Sequence, residues 1–249
     1  MDVPQPTPEA VPQLTTDRKI LALKRRLVRE ASMAVAMLEG ALKALWLLDV
    51  DAAMAVRLSD DRVDMEEVAI EQQCYEILAL HHPFARDFRV VTFILKVNAD
   101  IERVADHASS ICKVVKKISE ARRSAGLSGP PKWPTALVEL GERVPAMCHE
   151  LLRAVLDEDV DGARQLVAAD KVIDALDKRA FEEAMEVMKG ARGNETDLVI
   201  GMLMTRASRE LERVGDLMTN IAEDVVYLAT GEIIRHEKRR QSGAPPATA

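Results

Sequence analysis

Apolar residues recur every three or four positions over most of the chain, a spacing that predicts long amphipathic helices. In the first half we predict a helix from about Thr16 to Leu48 and a second from Asp49 or Asp51, either of which can cap it, to about Leu80. A third is predicted from near Pro83 to about Ala121. No segment shows sustained two-residue alternation, which argues against a sheet.

The apolar stripes of the first and third helices are the clearest. On the first helix the stripe comprises Leu23, Leu27, Ala31, Ala34, Leu38, Leu42 and Leu45. On the third it comprises Ile94, Val97, Ile101, Val104 or Ala105, Ala108, Ile111 and Val115. Long helices with stripes of this kind and short connections between them predict antiparallel bundles.

The second half repeats the plan of the first at an offset of 110 residues, the difference between positions 49 and 159 or 60 and 170. We predict helices from about Thr135 to Leu156, from the Asp159 or Asp161 cap to about Ala191, and from a break at Gly193-Asn194 to about Thr230. Gly231 then ends the last helix. The predicted fold class is therefore all-α, with two tandem antiparallel three-helix bundles that are copies of one unit.

Proline and glycine divide the chain into five parts. The proline-rich N-terminal end predicts disorder over residues 1–14. The C-terminal tail spans 233–249; it has a basic run at Arg235–Arg240, and its later, proline-containing part is also predicted to be disordered. The repeats span 15–121 and 135–232, and a linker rich in glycine, serine and proline occupies 122–134.

Composition excludes several classes of function. The net charge of −7 and an aromatic content of 3% argue against nucleic-acid binding, which requires a basic surface and stacking side chains. The sequence shows no secretory signal and no apolar run long enough to span a bilayer, so we expect a cytoplasmic protein. Cys74, Cys112 and Cys148 are widely spaced, which is typical of buried thiols in a reducing compartment.

Paired acids are the candidate functional residues. Asp60 with Asp64, and Glu102 with Asp106, lie four residues apart and so share a helix face. If the second and third helices are antiparallel neighbours, these four converge into what we call the first carboxylate cluster. The second carboxylate cluster has corresponding members at the same offset: Asp170, Asp174, Glu212 and Asp216.

Like charges at this spacing repel each other. A cation bound between them attracts both acids, so the net electrostatic energy of the cluster becomes favourable. Oxygen-only ligands favour magnesium, calcium, manganese or iron, and zinc stays possible. Any one pair taken alone is typical of a solvated helix face, with Arg103 or Arg213 beside it. Four pairs in matched register favour metal binding in both halves.

Three motifs give the chain a family resemblance. The runs Glu212–Asp216, Thr219–Glu223 and Tyr227–Glu232 closely resemble the C-terminal signature of the PhoU family of phosphate-signalling proteins. Residues 83–89 are similar to that family's Pro-x-Ala-x-Asp-Leu-Arg helix start, with Phe88 in place of leucine. Leu217 stands where a histidine is common after the final aspartate, whereas His107 keeps it in the first half.

The resemblance implies a duplicated three-helix bundle, often dimeric, with multinuclear metal clusters on the four acid pairs. It further implies a cytoplasmic negative regulator of the phosphate-starvation response and of high-affinity phosphate uptake. Its partners would be the ATPase of the phosphate ABC transporter and a sensor histidine kinase. Contact with the membrane would then come only through partners.

Two other functions stay open at this point. One is an accessory or scaffold subunit of a low-affinity phosphate permease. The other is a carboxylate-bridged di-metal enzyme of the ferritin-like kind, but those bundles need Glu-x-x-His spacing on inward positions, which the sequence lacks. We find no nucleophile and base constellation and no glycine-rich phosphate loop, so the sequence favours a regulatory adaptor over an enzyme.

Overall fold

A computed structural model of the chain describes residues 10–190 and 195–234, with side chains from residue 16 to residue 189 and again from 195. The seven helices of these residues are α1 (Ala10–Leu47), α2 (Val50–Arg57), α3 (Asp60–His81), α4 (Ala85–Ser124), α5 (Thr135–Asp157), α6 (Val160–Gly190) and α7 (Glu195–Thr230). The described residues contain no strand, which confirms the predicted all-α class.

The two halves are built alike and share one core. In the first half α1 packs on α4, and α3 lies against both of them, while α5, α6 and α7 pack on one another in the second half. Helices α4 and α7 are also in close contact, so the two bundles join along their last helices. The apolar stripes predicted for the first and third helices are buried throughout.

The helices end at corresponding positions in the two halves. Leu48 and Glu158 both adopt the left-handed conformation, with φ of 51° and 50°, and each terminates a helix. The next residue then caps the following helix: Asp49 accepts a hydrogen bond from the Ala52 amide and Asp159 one from the Gly162 amide. Asp49 and Asp159 are thus the caps, rather than the alternatives Asp51 and Asp161.

The predicted second helix is wrong in one respect, because it is broken into α2 and α3 at Leu58 and Ser59. The corresponding residues of the second half are Ala168 and Ala169, and α6 runs through them without interruption. Alanine is the best helix former, whereas serine competes for backbone hydrogen bonds, and the Ser59 hydroxyl lies 3.4 Å from the Ala55 carbonyl oxygen.

Smaller differences concern the helix ends. The first helix begins at Ala10 and not Thr16, so it extends into the segment predicted as disordered; Pro12 lies in its first turn, where proline is tolerated. Helix α4 begins at Ala85 and ends at Ser124, inside the predicted linker. Gly231, with φ of 78°, follows α7 as predicted.

Some predictions lie outside the described residues: disorder over 1–9 and in the tail from 235, the basic run, and the break at Gly193-Asn194. None of the described helices has an apolar stretch of the length that a bilayer crossing requires.

Candidate metal centres

The first carboxylate cluster forms where the start of α3 lies beside the middle of α4. Helix α3 supplies Asp60, its first residue, and Asp64, while α4 supplies Glu102 and Asp106. Burial raises the pKa of Glu102 to about 7, and the charges of Asp106, Glu67, Asp64 and Asp60 add to the effect. Glu102 thus interacts electrostatically with the other three predicted members of the first cluster, but no three of the four place their ligand oxygens within 4.8 Å of one another.

Asp60 shows how the charges in this cluster balance. Burial is the largest cause of its raised pKa, and Asp64 and Asp106 raise it further. A hydrogen bond with Ser109 and the charge of Lys113 act in the opposite direction. The buried Oδ1 atom of Asp60 has no hydrogen-bond partner among the residues described.

Two further acids, Glu30 and Glu67, extend the first cluster toward the core, and sequence reasoning missed both. Glu30 lies on α1 and is 0% exposed, and neither of its carboxylate oxygens has a hydrogen-bond partner in the described part of the chain. Burial raises its pKa to about 9, with Glu67, Glu66 and Glu102 adding repulsion and Arg26 opposing it. The available signal was a charged residue three positions after Leu27, on the apolar stripe of α1.

The second carboxylate cluster is more closely gathered. Asp170, Asp174 and Asp216 each offer one carboxylate oxygen, and these oxygens all lie within 4.8 Å of one another. Over 10–190 and 195–234, no other group of three or more acidic, histidine or cysteine side chains places its ligand atoms this close together. Burial raises the pKa of Asp216, and Asp170 and Asp174 raise it further.

Glu212, the fourth predicted member, lies at the edge of the second cluster. Burial raises its pKa, as do Asp216, Asp177 and Asp174, while Arg209 lowers it. Arg209 contacts two acids at once, with distances of 3.1 Å to the Glu212 carboxylate and 3.2 Å to that of Asp177. The second cluster is therefore partly neutralised by an arginine that the sequence analysis did not single out.

The arginines expected to neutralise the pairs behave differently. The ion pair of Arg103 is with Asp100, at 3.7 Å, rather than with Glu102 or Asp106. Arg213 acts at longer range, where its charge lowers the pKa of Asp216. Position 209 corresponds to Ala99 in the first half, so the first cluster has no counterpart of Arg209.

His107, the histidine next to Asp106, does not point into the first cluster. Its Nδ1 atom lies 2.8 Å from the Glu210 Oε2 atom on α7, and both residues are buried. In the second half Leu217 occupies the corresponding position and is buried as well. His107 therefore joins the two bundles in this chain, and the side chains gathered at both clusters offer oxygen atoms.

These side chains fit a hard cation. All the acids gathered at each cluster offer carboxylate oxygens, the ligands preferred by magnesium, calcium, manganese and ferric or ferrous iron. The unpartnered oxygens of Glu30 and Asp60 are a second indication, because buried polar atoms are nearly always satisfied. Cys74, Cys112 and Cys148 are buried and free, and burial raises the pKa of each thiol, so a thiolate site is not indicated.

Two fused helical bundles with one acid cluster apiece define a class of duplicated all-α protein. The chain belongs to the PhoU family, because residues 27–115 and 137–225 each match the PhoU domain. The two matches are themselves separated by 110 residues, the offset of the repeat.

Curated relatives and solved structures agree with this assignment. The chain is 30% identical to the phosphate-specific transport system accessory protein PhoU of Escherichia coli over 86% of this chain and 85% of that protein. It is 34% identical to the homolog from Pseudomonas aeruginosa over 76% of each. The crystal structure of the phosphate transport system regulatory protein PhoU from Streptococcus pneumoniae matches with a TM-score of 0.76 at 26% identity, covering 88% of this chain and 99% of that one. PhoU from Pseudomonas aeruginosa gives a TM-score of 0.67 at 28% identity, covering 89% and 99%.

Proposed function

We propose that this protein is a cytoplasmic negative regulator of the phosphate-starvation response and of high-affinity phosphate uptake. It acts as a metal-binding adaptor between the ATPase of the phosphate ABC transporter and a sensor histidine kinase, and it catalyses no reaction of its own. The observation that carries the proposal is the pair of PhoU domains, each holding one acid cluster at the same register. Relatives that match over most of their length are named accessory proteins of phosphate-specific transport.

The surface of the first bundle supports an adaptor role. Leu80, Phe84 and Phe88 lie around the turn between α3 and α4, and Phe84 is 85% exposed. Neighbouring exposed apolar side chains of this size are typical of a surface that binds another protein. The first carboxylate cluster has members on both α3 and α4, so a bound metal would fix the relative positions of the two helices that present this surface.

A deletion strain tests the regulatory role. In phosphate-rich medium, loss of the gene is expected to derepress alkaline phosphatase, and the wild-type gene is expected to restore repression. A gene carrying Asp64→Asn, Asp106→Asn, Asp174→Asn and Asp216→Asn, which removes both clusters, should fail to restore it although the protein accumulates normally. Unchanged repression in the deletion strain would contradict the regulatory role.

Partners and assembly are tested on the purified protein. We expect co-purification with the transporter ATPase and the histidine kinase, and a homodimer of the 27.5 kDa chain in light scattering. Elemental analysis of untagged protein, prepared without chelator, should find at least two metal ions per chain, one for each cluster. Recovery of a low-affinity permease in place of the ATPase would replace the adaptor proposal with that of a permease subunit.

A further inference from the structure

We propose that Glu30 is a ligand of the metal held by the first carboxylate cluster, which makes this a site built by three helices. The second cluster is then a site built by two. This inference rests on the metal-binding part of the proposed function, and it concerns a residue outside the four acid pairs.

Glu30 occupies a position on the buried face of α1. It lies three residues after Leu27 and four before Ala34, and both of these are buried on the stripe that α1 turns toward α3 and α4. A glutamate on this stripe cannot reach water, and it is 0% exposed. A buried carboxyl group needs a hydrogen-bond donor or a cation, since burying it unpaired is costly in either protonation state.

Among the described residues no such donor is bonded to Glu30. Neither oxygen of Glu30 has a hydrogen-bond partner in the part of the chain that the structure describes. Arg26, one turn earlier on α1, is engaged with Glu66 through two hydrogen bonds, the second of them 3.0 Å long. The acids whose charges act on Glu30 are Glu67 and Glu66 on α3 and Glu102 on α4, and the charge of Arg26 opposes them only in part.

Glu102 links Glu30 to the rest of the cluster, because its charge acts on Glu30 as well. Glu102 interacts electrostatically with Glu67, Asp64, Asp60 and Asp106, so the acids form a continuous group from the core to the surface. No three of these acids place ligand oxygens within 4.8 Å of one another in this structure, so a divalent cation would draw Glu30, Glu67 and Glu102 together as it neutralises the inner end of this group. It would also supply the positive partner that the buried carboxylate lacks.

The second half shows that this arrangement is specific to the first. The position that corresponds to Glu30 is Leu140, which is buried. The counterpart of Glu67 is Asp177, which accepts a hydrogen bond from the Ser208 hydroxyl at 2.7 Å and pairs with Arg209. The inner acid of the second cluster thus has protein partners already.

Manganese binding to half-site proteins tests the inference. Asp174→Asn with Asp216→Asn leaves only the first cluster, and Asp64→Asn with Asp106→Asn leaves only the second. Glu30→Gln is added to each background, and Kd for Mn²⁺ is measured by calorimetry and by the EPR signal of free Mn²⁺. We expect Glu30→Gln to weaken binding at least about tenfold in the first background and to leave it unchanged in the second.

Two further variants complete the design. Glu30→Leu copies the second-half residue and should weaken binding as Glu30→Gln does, while Glu39→Gln, on the exposed side of α1, should have no effect. Equal Kd values with and without Glu30 in the first background would overturn the inference and leave the proposed function intact. No binding of manganese in either background would overturn both, together with the metal-binding part of the proposed function.

Discussion

The Nδ1 atom of His107 lies 2.8 Å from the Oε2 atom of Glu210, and this buried pair joins α4 of one bundle to α7 of the other. Burial acts to raise the pKa of Glu210, but the hydrogen bond and charge of His107, with Arg206 and Arg213, hold it below its ordinary value. An ionised carboxylate only accepts hydrogen bonds, so the Nδ1 atom of His107 carries the hydrogen. The two halves are thus connected by a polar contact inside the core that they share.

His107→Ala should destabilise the protein by about 2 kcal/mol, because it removes the hydrogen-bond partner of the Glu210 Oε2 atom and leaves this buried carboxylate with the longer ion pair to Arg206, at 3.6 Å. Urea unfolding of the wild type and the variant at pH 7 measures this. A lowered folded-state pKa contributes stability above the unfolded value, so the difference should shrink as the pH falls through the pKa of Glu210.

His149→Ala is a matched control for this variant. His149 Nε2 also lies 2.8 Å from a glutamate, Glu39 Oε1, but these side chains are 54% and 50% exposed. An exposed pair contributes little, so this change should cost less than about 0.5 kcal/mol. Equal losses in the two variants would show that burial does not govern the His107 contact.

Glu30→Gln should stabilise the metal-free protein at neutral pH. The pKa of Glu30 is about 9 in the folded protein and near 4.5 when unfolded, so folding takes up a proton between these values. For an acid whose folded pKa is raised, stability falls as pH rises from about 4.5 to about 9. At pH 7 the loss is on the order of 3 kcal/mol, which glutamine avoids.

Thermal unfolding in EDTA at pH 4.5, 7 and 9 measures this effect. The advantage of Glu30→Gln should be near zero at pH 4.5 and largest at pH 9. The exposed Glu120→Gln provides the control, with no pH-dependent advantage expected. A constant difference across this range would mean that Glu30 does not change its protonation on folding.

Most of this architecture could be predicted from the sequence, because the apolar stripes and the repeat follow from the residue type at each position along the chain. The stripe containing Leu27 and Ala34 places α1 in the core, and the repeat pairs Asp60 with Asp170. Glu30 could not be predicted in the same way, because the acid pairs are defined by a four-residue spacing along one helix and Glu30 has no such partner in the cluster. An isolated acid that meets others only through packing gives no such signal.

Two other features depend on tertiary contacts for the same reason. Arg209 lies three residues before Glu212, but its contact with Asp177 requires the neighbouring helix α6. The orientation of His107, away from Asp106 and toward Glu210, follows from the packing of α4 on α7. The offset of 110 residues does not predict that packing, since it relates the two bundles as copies and not as neighbours.

Asp216→Asn should have opposite effects in the absence and presence of metal. Burial, Asp170 and Asp174 all raise the pKa of Asp216, so its charge destabilises the metal-free cluster at neutral pH. Because the Asp216 side chain is only partly desolvated and solvent still screens its charge, removing that charge should gain only about 0.5 kcal/mol.

Manganese reveals the other effect. At a concentration 100-fold above its Kd, a ligand that binds only the folded state adds about 2.7 kcal/mol. This gain is measured as the rise in Tm on adding Mn²⁺. Asp216→Asn should abolish the part of the rise that comes from the second cluster. Glu182→Gln, an exposed change on α6, should leave the rise unaltered. A variant less stable than the wild type in EDTA would contradict the repulsion argument.

Gly215 and Ile173 form a pair whose first-half counterparts are Ala105 and Val63. A Cβ atom at Gly215 would lie 2.9 Å from the Cγ2 atom of Ile173, closer than carbon atoms approach without a shift. On the last helix, the first half has the larger residue, Ala105 in place of glycine. On the middle helix, the second half has the larger residue, Ile173 in place of valine. The exchange keeps the volume between the two helices nearly constant.

Gly215→Ala alone should destabilise by about 1 kcal/mol, since overpacking exceeds the gain in helix propensity. Ile173→Val alone should also lose about 1 kcal/mol by leaving a gap. The double variant reproduces the first-half pair, because valine lacks Cδ1 and its methyl groups can move into that space. We expect its stability in urea to lie within about 0.5 kcal/mol of the wild type, a coupling larger than independent sites show. Additive losses of stability would show that the two residues do not share one packing space.

Asp216 and Asp174 are the next residues along the chain after Gly215 and Ile173. Gly215→Ala should therefore also weaken Mn²⁺ binding, and the addition of Ile173→Val should restore it.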